Sequence, residues 1–478
     1  MMHRPIALAL GALLLLSPAP SAAQGAVAST DTVRLSLDDA VTLGLRTGDE
    51  VGLTAAQAVT ADAQYDLARA ALMPQLRLNS SYARTFESAR SNAVSAVFNQ
   101  PNTYNVNANL SQTIFQGGRL LATAKAMNAL ANAADLTTEE RRALFTVEIQ
   151  RAYFGAILAE RLAELQQTNL QLAAARHTQV QQFHNAGRAA QYDVLRAKVE
   201  RANIEPHAIQ ARNDRELAHL ELKRLLNIPV EQPLALTTTI DPQAAQTFVA
   251  AFSDTAVTVE RPALRAAELT ARSRRLAITA ARAELMPTIT FFFQTGFQAF
   301  PPPGFGFPGT RGSLNAASCP IGSQAGRLCQ NGGWFEDRNM GVQLSWPVFD
   351  GLRAKSALEL ARAQTRIAEL ELRTERERIA VEVARARAEL QRAKAVFDAQ
   401  RETASEANEA FRLASLRFTR GLSTQLEVSD AQLALLTAES SEARATIDLF
   451  LATAELARAL GRPIPMPPAG AQQRRTNE

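Results

Sequence analysis

Ala410-Phe-Arg-Leu-Ala-Ser-Leu-Arg-Phe418-Thr-Arg-Gly421-Leu-Ser423-Thr424-Gln-Leu-Glu427-Val428-Ser-Asp430-Ala-Gln-Leu433 reads as a helix, a break at one glycine, and a second helix. Glycine past the last helical residue, with Ser or Thr opening the next helix, makes a tight reversal. A near copy lies 234 residues earlier, where Phe183-His-Asn-Ala-Gly187 leads into Arg-Ala-Ala-Gln-Tyr-Asp193-Val194-Leu-Arg-Ala197. The same shift places Phe115 on Phe349, Gly117 on Gly351, Leu226 on Leu460 and Pro229 on Pro463. Self-similarity at a fixed shift is read before any local pattern, and here it describes one large unit repeated in tandem.

Outward from the turns, each repeat reads as helix, strand, strand, long helix, turn, shorter helix. The first helical segment is expected over Leu37–Leu72 and its counterpart over Arg261–Leu285, each stopped by Met-Pro at Pro74 and Pro287, where proline removes a donor. Beyond each proline the apolar period changes to two. Four strands are expected at about 75–84, 104–115, 288–298 and 339–349. Each is about ten residues, the length that crosses a bilayer at a tilt; a soluble hairpin in each half shows the same alternation. Long helices follow at about 119–183 and 352–418. About 65 residues at 1.5 Å rise reach about 100 Å, beyond any single globular core. Phe145, Ile149, Ala152, Ala156, Ala159 and Ala163 repeat at heptad spacing, as do Ile379, Val383, Ala386, Leu390, Ala393 and Phe397, so these helices are expected to pack lengthwise on others.

Residues 1–23 have the layout of a secretory signal: a basic start at His3 and Arg4, an apolar run over Ile6–Leu16 and a small-residue site at Ser21-Ala22-Ala23. The two repeats are bounded at 24–229 and 261–463, with an irregular link at 230–260 and a polar tail at 464–478. No apolar run is long enough for a membrane helix. The net charge of +4 on 478 residues comes with scattered arginines, which argues against nucleic acid. Cys319 and Cys329 sit in the longer loop of the second half and are expected to pair as a disulfide in an exported chain. Two thiols without a nearby histidine do not make a metal site. No phosphate-binding loop or nucleophile elbow occurs, so no catalytic residues, cofactor or metal are expected.

Four strands cannot close a barrel, and open edges are not tolerated in lipid. If the strands are membranous, the chain must oligomerise, and a trimer with twelve strands is the simplest closure. The duplicated order, with Leu-Met-Pro before the first strand of each half, Phe-x-Gly after the second and the Phe-x-x-Gly-x-x-x-x-x-(Asp/Glu)-Val turn at Phe418–Val428, resembles the outer membrane factors, the TolC-like outer membrane efflux proteins. The resemblance implies a mixed α and membrane-β channel-tunnel. It is a homotrimer with a 12-stranded β-barrel in outer membrane lipid and a long α-helical barrel in the periplasm of a Gram-negative bacterium. It implies a passive exit duct for drugs or small molecules, docked to a periplasmic adaptor and an inner-membrane pump of RND or ABC type. Type I protein secretion is an alternative within the class, and a soluble periplasmic coiled-coil adaptor is an alternative outside it.

The resemblance also assigns residues. The turns, with Phe183, Gly187, Asp193, Val194, Phe418, Gly421 and Val428, are expected to dock the adaptor. Glu427 and Asp430, three apart on one helical face, are expected to form acidic rings at the pore entrance, where they would attract cations. They are also residue types that the N-terminal end of a helix favours by itself. In the first repeat Asp193 matches Glu427, but Arg196 stands where the second acid would be. Phe418 and Ser423 depart from the Tyr and Arg with which family members latch the tip.

Overall fold

The computed structural model describes residues 32–87, 102–239, 241–251, 261–299, 334–420 and 422–466. The expected signal peptide, Gly421 and the pair Cys319 and Cys329 lie outside these. Two helices dominate, α3 (Arg119–Asn185) and α7 (Arg353–Thr419), each of 67 residues and offset by 234 at both ends. Each is folded back at its far end by a shorter partner, α4 (Gln191–Leu226) on α3 and α8 (Gln425–Ala459) on α7. At their near ends each follows a strand through a left-handed corner. Gly117 and Gly118 have φ of +56° and +78°, and Gly351 and Leu352 have +69° and +68°. The Phe-x-Gly motif marks this corner because only glycine takes such φ without cost; Leu352 bears about 1–2 kcal/mol there.

The strands form one antiparallel sheet, β2 (Gln75–Arg84), β3 (Asn102–Gln116), β5 (Thr288–Ala299) and β6 (Trp334–Ser345), in the order β2-β3-β5-β6. The register puts Leu78 beside Ala108, Leu110 beside Phe293, and Phe291 beside Val342 on one face. The opposite face carries Asn79 beside Asn107 and Asn109 beside Gln294, which pairs in turn with Asn339. Asn79 donates to the Asn107 side chain (3.3 Å), and Asn107 to that of Asn105 (2.9 Å). Alternation in sequence has therefore become one apolar and one amide-rich face. The Tyr82 and Tyr104 rings pack at 4.8 Å, tilted by 31°, toward one end of the sheet.

Three expectations are corrected. The last strand does not cover 339–349; it runs from Trp334 to Ser345. Pro347 has no N–H for the ladder, and the Trp346 indole turns to donate to the Leu285 carbonyl (3.3 Å). The first helical segment is two helices, α1 (Leu37–Thr47) and α2 (Asp49–Ala70). Gly48 between them is extended (ψ 120°), and a Cβ there would lie 2.5 Å from the Phe145 ring, so the chain bends where that ring passes. The link at 230–260 is not irregular throughout. It contains β4 (Leu234–Leu236), paired in parallel with β1 (Val33–Leu35), and the helix α5 (Pro242–Ala251).

These linker elements cover the largest apolar core, which lies part-way along the long helices and includes Phe145, Ile149, Phe154, Phe397 and Phe450. The rings of Phe154 and Phe450 stack at 5.4 Å. Tyr153 is fully buried, and its hydroxyl donates to the Leu35 carbonyl (2.8 Å), which ties β1 onto α3. Burial pushes its phenol above the usual value. Along both expected heptad stripes the side chains are buried or half-buried, as at Ala156, Ala163, Val383 and Ala393.

Beside this core, Arg261, 2% exposed, starts α6 (Pro262–Arg282) and donates to Glu140 of α3 (2.6 and 2.9 Å) and to Glu382 of α7 (2.5 Å). Arg458 of α8 also bonds Glu382 and reaches Glu455 (2.9 Å). Burial alone would raise the Glu382 carboxyl, but the two arginines win and hold it below its ordinary 4.5. That contribution to stability is present above pH 4.5 and is lost as pH falls through the lower folded value.

Arg261→Met leaves Glu140 and Glu382 with Arg458 as their remaining cation and is expected to cost about 3–5 kcal/mol near neutral pH. Helical circular dichroism of the detergent-solubilised protein should melt earlier. The gap to wild type should narrow as pH falls through the lowered Glu382 value; an equal melting temperature at pH 7 would remove the clasp.

Candidate functional site

Each hairpin ends in a reversal built from backbone hydrogen bonds. In the first, the Arg188 amide donates to the Phe183 carbonyl (2.8 Å) and the Gly187 amide to that of His184 (2.9 Å), with Gly187 at φ +73°. This is the two-bond closure that a left-handed residue makes at a helix end. The second shows the matching bond, from the Leu422 amide to the Arg417 carbonyl (2.8 Å). The return helices start differently. Thr424 caps α8 by accepting from the Glu427 amide (3.3 Å), whereas Ala190 offers no side-chain acceptor at the start of α4.

The expected site residues separate into three groups. Val194 and Val428 are buried, 6% and 4% exposed. Phe183 and Phe418 are half-buried, and the Arg188 guanidinium lies over the Phe183 ring at 5.2 Å. The acids sit at the starts of the return helices. Asp193 accepts from the Ala190 amide (3.1 Å), and Glu427 accepts from the Ser423 hydroxyl (2.9 Å). Glu427 and Asp430 are both exposed. Ser423, which departs from the family pattern, therefore holds an acid of its own chain.

Sequence reading missed a polar cluster above the turns. Arg176 of α3, 8% exposed, donates to Glu200 of α4 (3.3 Å) and to Ser429 (2.9 Å) and Gln432 (2.5 Å) of α8. Gln432 in turn donates to Asn169 of α3. Burial pulls the Arg176 guanidinium below its ordinary value and Glu200 opposes this. The cluster joins the first hairpin to the second. Its signal in the sequence was a break in the repeat: Arg176 aligns with Ala410, and Gln432 with Lys198. Open grooves lie beside it, one of about 500 Å³ that includes His207 and Arg444 and one of about 380 Å³ that includes Arg196 and Asp430. Among the described residues no group of His, Cys, Asp or Glu is arranged to hold a metal ion, and no helix is long and apolar enough to cross a membrane.

A family model described as outer membrane efflux protein matches residues 51–227 and 256–462. No curated protein matches the chain by sequence. Among solved structures, a membrane protein from Pseudomonas aeruginosa is 23% identical, with 89% of this chain and 92% of that one covered at a TM-score of 0.70. The outer membrane protein VceC from Vibrio cholerae is 19% identical over 90% and 97% of the two chains, with a TM-score of 0.69. The Campylobacter jejuni CmeC outer membrane channel is 15% identical over 89% and 85%, with a TM-score of 0.71. At these identities the likeness shows a shared fold.

Arg176→Ala removes the donors that span the hairpins, and bonds to a charged group are worth about 1.5–3 kcal/mol. Hydrogen–deuterium exchange should show faster exchange around Ser429–Gln432 with the equatorial core still protected. Unchanged protection at the tip would mean that the cluster joins nothing.

Proposed function

The chain belongs to the outer membrane efflux protein family, and from that premise we propose that three copies close one channel, with four strands each in a twelve-stranded barrel and two hairpins each in a helical tunnel. The protein is an outer membrane efflux channel of a tripartite export system, and members of this family are channels rather than enzymes. It works in the outer membrane of a Gram-negative bacterium with its helices in the periplasm.

The observation that carries the closure is the shape of the sheet. Among the described residues β2 and β6 are its edges. Both expose apolar side chains, including Leu76 and Leu78 on one and Met340, Val342 and Leu344 on the other. An open edge in hydrocarbon leaves backbone groups unsatisfied, so β2 of one copy pairs with β6 of the next. The apolar face then meets lipid, and the amide face lines the duct. The matched bounds of α3 and α7 support two tandem repeats, 24–229 and 261–463, as the origin of this arrangement.

The turns form the periplasmic tip, where the adaptor docks and an inner-membrane pump delivers its cargo. Phe183, Gly187, Asp193, Phe418 and Gly421 supply the docking surface, supported from beneath by Val194 and Val428. Glu427 and Asp430 supply an acidic entrance.

The test uses two neighbours on β2. Leu78→Arg puts a charge against lipid at a cost of about 2–4 kcal/mol near the midplane, and should abolish the heat-resistant trimer on gels. Asn79→Arg points into the duct and should keep it. A wild-type chain that stays monomeric and soluble without detergent overturns the proposal, as does an equal effect of the two variants.

A further inference from the structure

The two repeats carry opposite charges at one matched position near the tip, since Arg196 stands in α4 where Asp430 stands in α8. The fold brings the two onto a single groove. That groove, about 380 Å³, has Arg196 and Glu200 on one side, Ser429 and Asp430 on the other, and Asn169 from α3 between them. Asp430 is exposed and Arg196 half-buried, and among the described residues neither makes an ion pair. The acids one helical turn closer to the tip differ: Asp193 is bound by the Ala190 amide and Glu427 by the Ser423 hydroxyl.

We infer that Arg196 sets the charge selectivity of the entrance by cancelling Asp430, an inference that rests on the channel reading above. Both charges line the one groove, and screening at physiological salt acts over about 8 Å, so an ion passing through that groove meets their sum. This level is therefore close to neutral. Cation preference comes from the neighbouring level, where Asp193 and Glu427 have the same sign in both repeats. The entrance is then a belt of mixed charge beside an acidic one, in place of two stacked acidic rings.

The experiment compares Arg196→Gln, Arg196→Lys, Asp430→Asn, the Arg196→Gln/Asp430→Asn double variant and the charge swap Arg196→Asp/Asp430→Arg. Each is purified as the trimer and placed in a planar bilayer under a KCl gradient. Trimer migration on gels checks assembly. Arg196→Gln should raise the potassium-to-chloride permeability ratio about twofold or more, and Asp430→Asn should lower it by a similar factor. The double variant, the swap and Arg196→Lys should stay near wild type, which separates charge from packing. A conducting Arg196→Gln channel with an unchanged ratio overturns this inference and leaves the channel in place. A wild-type trimer that passes no current overturns the channel reading, and this inference with it.

Discussion

A guanidinium with 2% exposure, that of Arg261, clasps Glu140 and Glu382 at one height, and the packing of the long helices depends on that kind of contact. Seams made largely of alanine bring helices close but say little about their register, because a heptad repeat slid by one period offers nearly the same surface. Buried charge is less forgiving, since a carboxylate left without its partner keeps its full desolvation penalty. Arg176 acts similarly nearer the tip. Glu140 and Arg176 are 36 residues apart on α3, or about 54 Å along the axis at 1.5 Å per residue. Apolar packing joins the helices, and two polar contacts hold them in one alignment.

The two halves are alike in length and unlike in chemistry. Their long helices match residue for residue, yet Arg458 is buried at the equator while its counterpart Arg224 is 64% exposed. The reason lies in the path of the chain. The linker and α6 cover one side of the bundle, and a residue under that cover meets partners that its copy never meets. The same divergence put Arg176 opposite Gln432 and Arg196 on one groove with Asp430, so the chemical differences near the turns arise where the two halves no longer match.

The sheet applies a related rule to its two faces. Its alternation is ordinary, but the register aligns like with like across all four strands: Leu110 with Phe293, and Asn109 with Gln294. Either face alone suits a soluble hairpin. Together with bare apolar edges they suit a wall between lipid and water.

The sequence by itself pointed to two similar halves, the helices, the reversals and the family, because proline stops, glycine corners and heptad spacing are local and occur in both. It misplaced the end of β6, where Trp346 leaves the ladder for the Leu285 carbonyl, and it missed the break at Gly48, which exists because the Phe145 ring passes there. At the candidate site it put forward Glu427 and Asp430 by resemblance and passed over Arg176. Only the tertiary structure decided that Val194 and Val428 are buried and that Arg196 shares a groove with Asp430. Arg196 and Asp430 are 234 positions apart, and no local pattern records which helix a side chain will face once two hairpins lie side by side.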